Sequence, residues 1–278
     1  MENVKKDDLT LLSKKRIEWL ETGHEPKTMM NHNVNVFSKY LKRGRLVLIL
    51  DRVTEVAEGI KTFRFRSENR ESYPPFKPGQ SIALTLKIGG RYLTEAYTLT
   101  SLMSEAADGI YEITVPKHND AVTKYLFETI KENDIIVASA PFGDFYYDRV
   151  RDTKEVIAIT GFEEVIPVYA MAKAVAAGDY HYNFTIFYFG EYEKDLKFKG
   201  ELEKLKEETS RLKVIYVLSK EEKFGYQKGY VSLNKIKGEL TDQSCIFISC
   251  HESMLKYFET ELESLNLPLK YIHYFKGK

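Results

Sequence analysis

The stretch VIAITGFEEVIPVYAMAKAVAA, residues 156–177, decides the fold of this chain. Its first five residues are an apolar run of strand length, and the residues from Pro167 to Ala177 predict a helix. The same pattern of strand followed by helix recurs toward the C-terminus. The further strands are FTIFYF (184–189), KVIYVL (213–218), CIFIS (245–249) and YIHYF (271–275), and the further helices lie near 199–208, after Val231, and across Leu255, Phe258, Leu262 and Leu265. This alternation predicts a parallel sheet with right-handed crossovers, which binds ligands at the carboxyl ends of its strands.

Residues 45–150 carry a different pattern, in which β-rich segments are separated by turns that contain Pro or Gly. The segments are LVLILDRV (46–53), KTFRFRS (61–67), SIALTLKI (81–88), RYLTEAYTLTS (91–101), GIYEITVPK (109–117) and DIIVASA (134–140). One helix, predicted from about Ala121 to Lys131, interrupts them. Six strands and one helix suit a small antiparallel β-barrel.

The chain therefore divides into three parts. A helical N-terminal extension covers residues 1–44, the barrel covers 45–150, and the α/β domain covers 151–278. The extension carries more basic than acidic residues. It either packs on the main body or serves as a docking arm for an acidic partner.

The composition excludes several classes of protein. With 41 basic and 41 acidic side chains, the chain is not a globally basic nucleic-acid binder. Its two cysteines, Cys245 and Cys250, are too few for a disulfide framework or a four-cysteine metal or iron–sulfur site. No apolar segment is long enough to insert into a membrane. We therefore expect a cytoplasmic protein, in which any electron-transfer chemistry uses an organic cofactor or a partner's cluster.

Four short motifs follow one another in an order and spacing that occur in a known family. They are Phe76-Lys77-Pro78-Gly79-Gln80, Tyr97-Thr98-Leu99-Thr100-Ser101, Pro141-Phe142-Gly143-Asp144-Phe145 and Gly229-Tyr230-Val231. Between about Arg43 and Phe275 the chain resembles the ferredoxin–NADP reductase superfamily. The corresponding family motifs read F-x-P-G-Q, R-x-Y-[ST]-x-x-S, P-x-G-x-F and G-[FY]-[VI]. The resemblance implies a flavin-binding barrel followed by a nucleotide-binding α/β domain, with the flavin between them.

The resemblance also implies which residues hold the flavin. Tyr97 matches the tyrosine that stacks on the flavin ring, Thr98 matches the hydroxyl that bonds the ring edge, and Ser101 ends the same motif. Thr123 matches a phosphate-contacting Ser or Thr near a helix N-terminus, where free N–H groups favour an anion. The predicted cofactor is FAD or FMN.

Two positions depart from the family pattern on the flavin side. The motif arginine is Glu95, and the Gly-Gly pair before the helix is Asn119-Asp120. Both changes bring a carboxylate toward the flavin diphosphate, and the change from arginine to Glu95 also removes a bidentate donor. Arg91 lies four residues before Glu95 and faces the same side of an extended strand, so it is a candidate to compensate.

The nucleotide-binding edge departs further. The family loop A-G-G-x-G-[IV]-[TS]-P is Thr160 to Pro167 here, with Phe162 and Glu164 at the second and third glycines. The family's C-G-P-x-x-M is Ser249 to Met254, and a glutamate follows FTIFYF where the family often has an arginine. These changes predict a degenerate nucleotide edge made of Gly161, Glu163, Glu164, Glu191, Cys250 and His251. Because carboxylates repel a diphosphate, we expect no ordinary NAD(P)H binding there.

These observations favour a flavin-binding oxidoreductase that transfers electrons through FAD or FMN. The expected partner is a redox protein, and neither nucleic acid nor a membrane is expected. Two alternatives stay open: a non-catalytic scaffold that keeps the fold without the cofactor sites, and an NAD(P)H-dependent flavin reductase with an atypical nucleotide loop. The sequence assigns no catalytic residue, no metal ligand and no oligomeric state.

Overall fold

The computed structural model describes residues 45–241, 243–263 and 272–275. The predicted helical extension, residues 1–44, lies outside this range, as does Leu265 of the last predicted helix. The described chain forms two six-stranded sheets. Within the described part, no helix has the length and apolar character needed to cross a membrane.

The first sheet is antiparallel and curls into a barrel-like form without closing. Its strands are β1 (Leu46–Ala57), β2 (Ile60–Arg66), β3 (Ser81–Ile88), β4 (Arg91–Thr98), β5 (Ile110–Pro116) and β6 (Ile135–Ala138). Their order is β4-β3-β6-β1-β2-β5. The edge strands approach each other just after β4, where Leu99 bridges Ile113 and the Thr100 N–H donates to the Glu112 carbonyl at 2.7 Å. All six predicted strands are present.

Side chains alternate along these strands as a half-buried sheet requires. In β3, Ile82, Leu84 and Leu86 are buried, whereas the residues between them are partly exposed. Two helices belong to this part of the chain, α1 (Met103–Ala107) and α2 (Ala121–Glu128). The sequence did not predict α1, because five residues are too short to show a 3.6-residue period.

The second sheet is parallel, and its strand order reverses in the middle. Its strands are β7 (Glu155–Gly161), β8 (Asn183–Gly190), β9 (Leu212–Leu218), β10 (Gln227–Lys228), β11 (Ser244–Ser249) and β12 (Ile272–Tyr274). Its helices are α3 (Ile166–Ala176), α4 (Lys199–Glu208), α5 (Leu233–Ile236) and α6 (Glu252–Glu263). The order is β10-β9-β8-β7-β11-β12, so the chain crosses from one side of β7 to the other before β11. Such a reversal opens a crevice at the carboxyl ends of the two strands. The fold confirms the predicted class of an antiparallel barrel-type sheet followed by a parallel α/β sheet.

Helix α3 of the parallel sheet also contacts the barrel-like sheet. Its residues are buried except for Lys173 and the C-terminal Ala176. The Lys173 ammonium donates to the Thr100 carbonyl at 2.6 Å and lies 3.3 Å from the Glu112 carboxylate. This one polar side chain therefore ties the apolar helix to the barrel-like sheet.

Two of the sequence motifs meet in a single corner. The Gln80 side-chain amide donates to the Gly143 carbonyl at 2.9 Å, and the Ser81 N–H donates to the Phe142 carbonyl at 2.9 Å. Gly79, at φ +100°, leaves room for Phe145, because a β-carbon there would lie 2.1 Å from the Phe145 carbonyl oxygen. The Phe145 ring packs edge-on against Phe247 of β11 at 5.2 Å between ring centroids. The corner thus joins β3 to the parallel sheet.

Candidate functional site

A cleft of about 1010 Å³ lies between the barrel-like sheet and the carboxyl ends of the parallel strands. On the barrel side, the cleft is lined by the end of β4 and the start of α2. On the other side, it is lined by the turns after β7 and β11. Seven of the predicted site residues line it: Tyr97, Thr98, Thr123, Glu163, Glu164, Cys250 and His251. Four others do not line it: Arg91, Ser101, Gly161 and Glu191.

Tyr97 and Thr98 end strand β4 and form part of the barrel-side wall. Strand β3 holds them through pairing with Ile82 and Ser81. Their exposed fractions are only 8% and 6%. Burial raises the pKa of the Tyr97 phenol, and the nearby Asp120 carboxylate raises it further. Tyr97 lines the cleft with a neutral phenol, and an aromatic ring at this position can stack against a planar ligand.

Arg91 and Ser101 lie elsewhere. Arg91 opens β4 beside the Gly89-Gly90 turn, is exposed, and stands six residues before Tyr97, which is about 20 Å along a strand. This placement does not support a contact between Arg91 and a ligand at Tyr97. Ser101 is buried, and its hydroxyl accepts the Glu112 N–H at 3.2 Å.

Asp120 occupies the N-terminus of α2. One carboxylate oxygen accepts the N–H groups of Val122 and Thr123, both at 2.9 Å. The other accepts the Thr123 hydroxyl at 2.7 Å, and that hydroxyl also lies 2.9 Å from the His118 carbonyl. The donors that the resemblance assigns to a flavin phosphate are therefore bonded within the protein.

The turn after β7 contains a glycine without room for a side chain and a phenylalanine in a left-handed conformation. Gly161 stays a glycine because an added β-carbon would lie 2.3 Å from the Phe189 ring. Phe162 replaces the second family glycine and still has φ +48°, a left-handed conformation that bulky residues rarely adopt. The Tyr188 hydroxyl donates to the Phe162 carbonyl at 2.9 Å and helps hold this conformation.

Glu163 and Glu164 follow in the same turn and differ in their surroundings. The Glu163 carboxylate lies 3.0 Å from the Lys197 ammonium and 3.8 Å from the His118 imidazole. Burial raises the pKa of the Glu164 carboxyl, and the Glu163 charge raises it further. The first glutamate is thus charge-balanced, and the second favours its neutral form more than an exposed glutamate would.

Lysines also neutralise most of the other glutamates near the strand ends. Glu191 pairs with Lys220 at 2.8 Å, although it does not line the cleft. The other pairs are Glu193 with Lys199 and Lys223, Glu222 with Lys228, and Glu252 with Lys256. The edge is consequently less anionic than its glutamate content indicates.

The turn after β11 brings Cys250 and His251 to the cleft. The Ser249 hydroxyl instead turns inward and donates to the Glu164 carbonyl at 2.6 Å. Burial raises the pKa of the Cys250 thiol to about 12, and the Glu164 charge contributes. The thiol is therefore protonated at neutral pH and acts as a small, weakly polar surface. His251 is exposed, and its ring nitrogen lies 3.1 Å from the Ser253 hydroxyl.

Sequence reasoning missed one buried polar cluster beside the cleft. The ligand-type atoms of Asp152, Cys245 and His273 lie within 4.8 Å of one another. The Asp152 carboxylate already accepts bonds from the His273 imidazole at 2.9 Å, from the Arg151 guanidinium at 2.9 and 3.0 Å, and from the Asp148 N–H at 2.7 Å. These four bonds fill its acceptor positions. The residues are too far apart along the chain to form a motif.

Comparison with known proteins identifies the family. The model of the oxidoreductase FAD-binding domain matches residues 47–147, from the second residue of β1 to beyond β6. The model of the oxidoreductase NAD-binding domain matches residues 160–259. The chain belongs to the ferredoxin–NADP reductase superfamily. Its fold is similar to that of a ferredoxin NADP+ reductase from Neisseria gonorrhoeae with bound FAD and NADP, with a TM-score of 0.68, 16% identity, and coverage of 84% of this chain and 99% of the other.

Two curated relatives show the range of proteins that this superfamily member resembles. Flavohemoprotein A of Dictyostelium discoideum is 25% identical over 244 residues, which are 81% of this chain and 58% of the relative. NADH-cytochrome b5 reductase 1 of Kluyveromyces lactis is 28% identical over 165 residues, which are 58% of each protein. The matched part of the chain thus spans less than two thirds of either relative.

The expectation of a degenerate edge without NAD(P) binding was wrong. The NAD-binding domain matches across Glu163, Glu164 and Glu191, and relatives include an NADH-dependent reductase. The sequence shows the glutamates of this edge but not the lysines that pair with them in the fold. Lys197 and Lys220 offset two of these glutamates.

Proposed function

We propose that the chain is a flavin-dependent oxidoreductase that takes electrons from NAD(P)H and passes them to a redox-protein partner. The observation that carries the proposal is that Tyr97 and Thr98 of β4 line the same cleft as the turns after β7 and β11. A flavin against Tyr97 and a nucleotide at the strand ends would share this space. We further propose that residues 45–150 form the flavin domain and residues 151–278 the nucleotide domain, after an extension of residues 1–44.

The residues present fit a flavin ring. Tyr97 offers an aromatic surface, Thr98 offers a hydroxyl, and the cleft volume of about 1010 Å³ exceeds what a three-ring system needs. When bound, a flavin accepts two electrons as hydride from a reduced nicotinamide and releases them singly to an acceptor. The protein would hold the flavin and the nicotinamide next to each other and limit the access of water to the cleft.

Residues in the turns after β7 and β11 would position the nicotinamide. The protonated Cys250 thiol and the half-buried Glu164 carboxyl, whose pKa is raised by burial, line the cleft there. The Lys197 ammonium lies 3.0 Å from the neighbouring Glu163 carboxylate and partly offsets its charge. The support for this assignment is the position of the turns at the strand-order reversal, where parallel sheets bind ligands.

The first experiment compares two tyrosines of the same strand. The purified protein is incubated with FAD, FMN or riboflavin, and bound flavin is measured from its visible absorption after desalting. We expect Tyr97→Ala to weaken flavin binding at least tenfold. Tyr92→Ala, which removes a 72% exposed ring from β4, is expected to leave it unchanged.

The second measurement is stopped-flow reduction of the bound flavin by NADH and by NADPH without oxygen. Bleaching of the flavin absorption by either nucleotide would support the proposal. A protein that takes up no flavin would instead favour a non-catalytic scaffold. A flavoprotein reduced by neither nucleotide would contradict the assignment of the electron donor.

A further inference from the structure

The corner of the cleft at the start of α2 is closed to an added anion. Asp120 places one carboxylate oxygen on the Val122 and Thr123 N–H groups and the other on the Thr123 hydroxyl. These are the donors that a helix N-terminus would offer to a phosphate. A phosphate could reach them only after displacing the Asp120 side chain.

Asp120 also brings negative charge to this corner. Burial alone would raise the pKa of the carboxyl, but hydrogen bonds from Thr123 and Val122 and the nearby His118 lower it. The His118 imidazole also lies 3.8 Å from the Glu163 carboxylate, so Asp120 is not its only acidic neighbour. Among the described residues, no lysine or arginine forms an ion pair with Asp120, so a flavin phosphate here would meet a carboxylate that no basic side chain neutralises.

The ring position lies beside this corner. Tyr97 and Thr123 line the same cleft, and the Thr123 hydroxyl donates to the Asp120 carboxylate at 2.7 Å. A flavin stacked on Tyr97 would direct its ribityl chain toward either the α2 corner or open solvent. An uncharged chain end tolerates both, whereas a phosphate is repelled in the first case and in the second lies away from the N–H groups that open α2.

We infer that the cleft holds its flavin by the ring and discriminates against flavin phosphates, so that riboflavin binds at least as tightly as FMN or FAD. The inference rests on the proposed function, because it presupposes a flavin against Tyr97. It assigns Asp120 as the residue that sets this selectivity. The flavin would then exchange with solvent more readily than one anchored by its diphosphate.

The test measures the Kd of riboflavin, FMN and FAD by quenching of flavin fluorescence, in the full-length wild type and in Asp120→Asn. Asparagine keeps an oxygen for the helix cap and removes the charge. We expect the variant to bind FMN at least tenfold more tightly, about 1.4 kcal/mol, and riboflavin within about twofold of wild type. Asp134→Asn is the matched control, because Asp134 accepts the Lys131 N–H at 2.8 Å in a turn outside the cleft.

Salt provides a second readout that a purely structural role of Asp120 would not move. Raising the ionic strength from about 0.05 M to about 0.5 M screens repulsion, so the wild-type Kd for FMN should fall while that for riboflavin stays constant. Wild-type protein that binds FMN or FAD tenfold more tightly than riboflavin would overturn the inference and leave the proposed function intact. An equal change for all three flavins in Asp120→Asn would also overturn it. Absence of binding by any flavin would instead reject the proposed function, and the inference with it.

Discussion

Gly79 lies directly against the backbone of Phe145, and an added β-carbon would stand 2.1 Å from the Phe145 carbonyl oxygen. Through this contact, the turn before β3 closes on the segment that leads into the parallel sheet. The two motifs that carry these residues therefore form one corner of the cleft.

Replacing Gly79 by alanine should destabilise the protein strongly. Gly143, at φ +104°, is the matched control, because its conformation is similarly left-handed while an added β-carbon meets nothing within 4 Å. We expect Gly143→Ala to cost about 1 kcal/mol from conformation alone, and Gly79→Ala to cost about 3 kcal/mol because the backbone must also move. Urea unfolding followed by circular dichroism measures both. Equal losses would show that the contact with Phe145 has no energetic role.

At position 162, a glycine variant should be more stable than an alanine variant. At φ +48° a side chain costs about 1 kcal/mol that glycine avoids. We expect Phe162→Gly to be about 1 kcal/mol more stable than Phe162→Ala, although both lack the ring. At the exposed helical position Lys204 the order should reverse, with alanine more stable than glycine. Urea midpoints for the four variants provide the comparison, and an unreversed order at position 162 would argue against backbone strain there.

Asp152 should contribute stability that is lost in acid. Burial alone would raise the pKa of its carboxyl, but hydrogen bonds from His273 and Arg151 lower it from 3.8 to about 2. A carboxyl with a depressed pKa stabilises the fold above its unfolded pKa and loses that stabilisation as the pH falls through the folded one. Asp152→Asn should therefore lower the unfolding free energy by about 2 kcal/mol at pH 7, with the difference from wild type shrinking between about pH 4 and pH 2.

The exposed Asp144 is the control for this titration, and Asp144→Asn should unfold like wild type across the range. The free energies come from urea unfolding at each pH. A difference between Asp152→Asn and wild type that stays constant from pH 7 to pH 2 would contradict the assignment.

Lys197 should support nucleotide binding by offsetting Glu163. Their charged groups lie 3.0 Å apart, with side chains 34% and 27% exposed, and such pairs contribute about 1 kcal/mol or less. We expect Lys197→Ala to raise the Kd of NADH two- to fivefold, on the order of that energy, and the added change Glu163→Gln to restore it. Lys204→Ala, which removes an exposed lysine paired with Glu201 on α4, is the control. Nucleotide fluorescence titration measures the Kd, and a double variant as weak as Lys197→Ala would refute the compensation.

Local sequence signals were enough to predict most of the architecture. The apolar runs of β7, β8, β9 and β11 and the alternation in β3 each lie within a few residues, so their periods can be read directly. Helix α1 and the two-residue β10 were missed because they are too short to show a period. The site was predicted less completely. Tyr97, Thr98 and Thr123 line the cleft, whereas Arg91 stands at the far end of its strand.

What the sequence by itself determined is the order of the two sheets and the residue types at the turns that face the cleft. Only the tertiary structure decided how those residues act. Lys197 lies 34 residues after the Glu163 that it neutralises, and His273 lies 121 residues after the Asp152 that it bonds. Hydrophobic patterning is local along the chain, whereas charge interactions depend on distances through space. Several glutamates near one sheet edge can therefore predict repulsion of a nucleotide from the sequence, although lysines offset their charges in the folded protein.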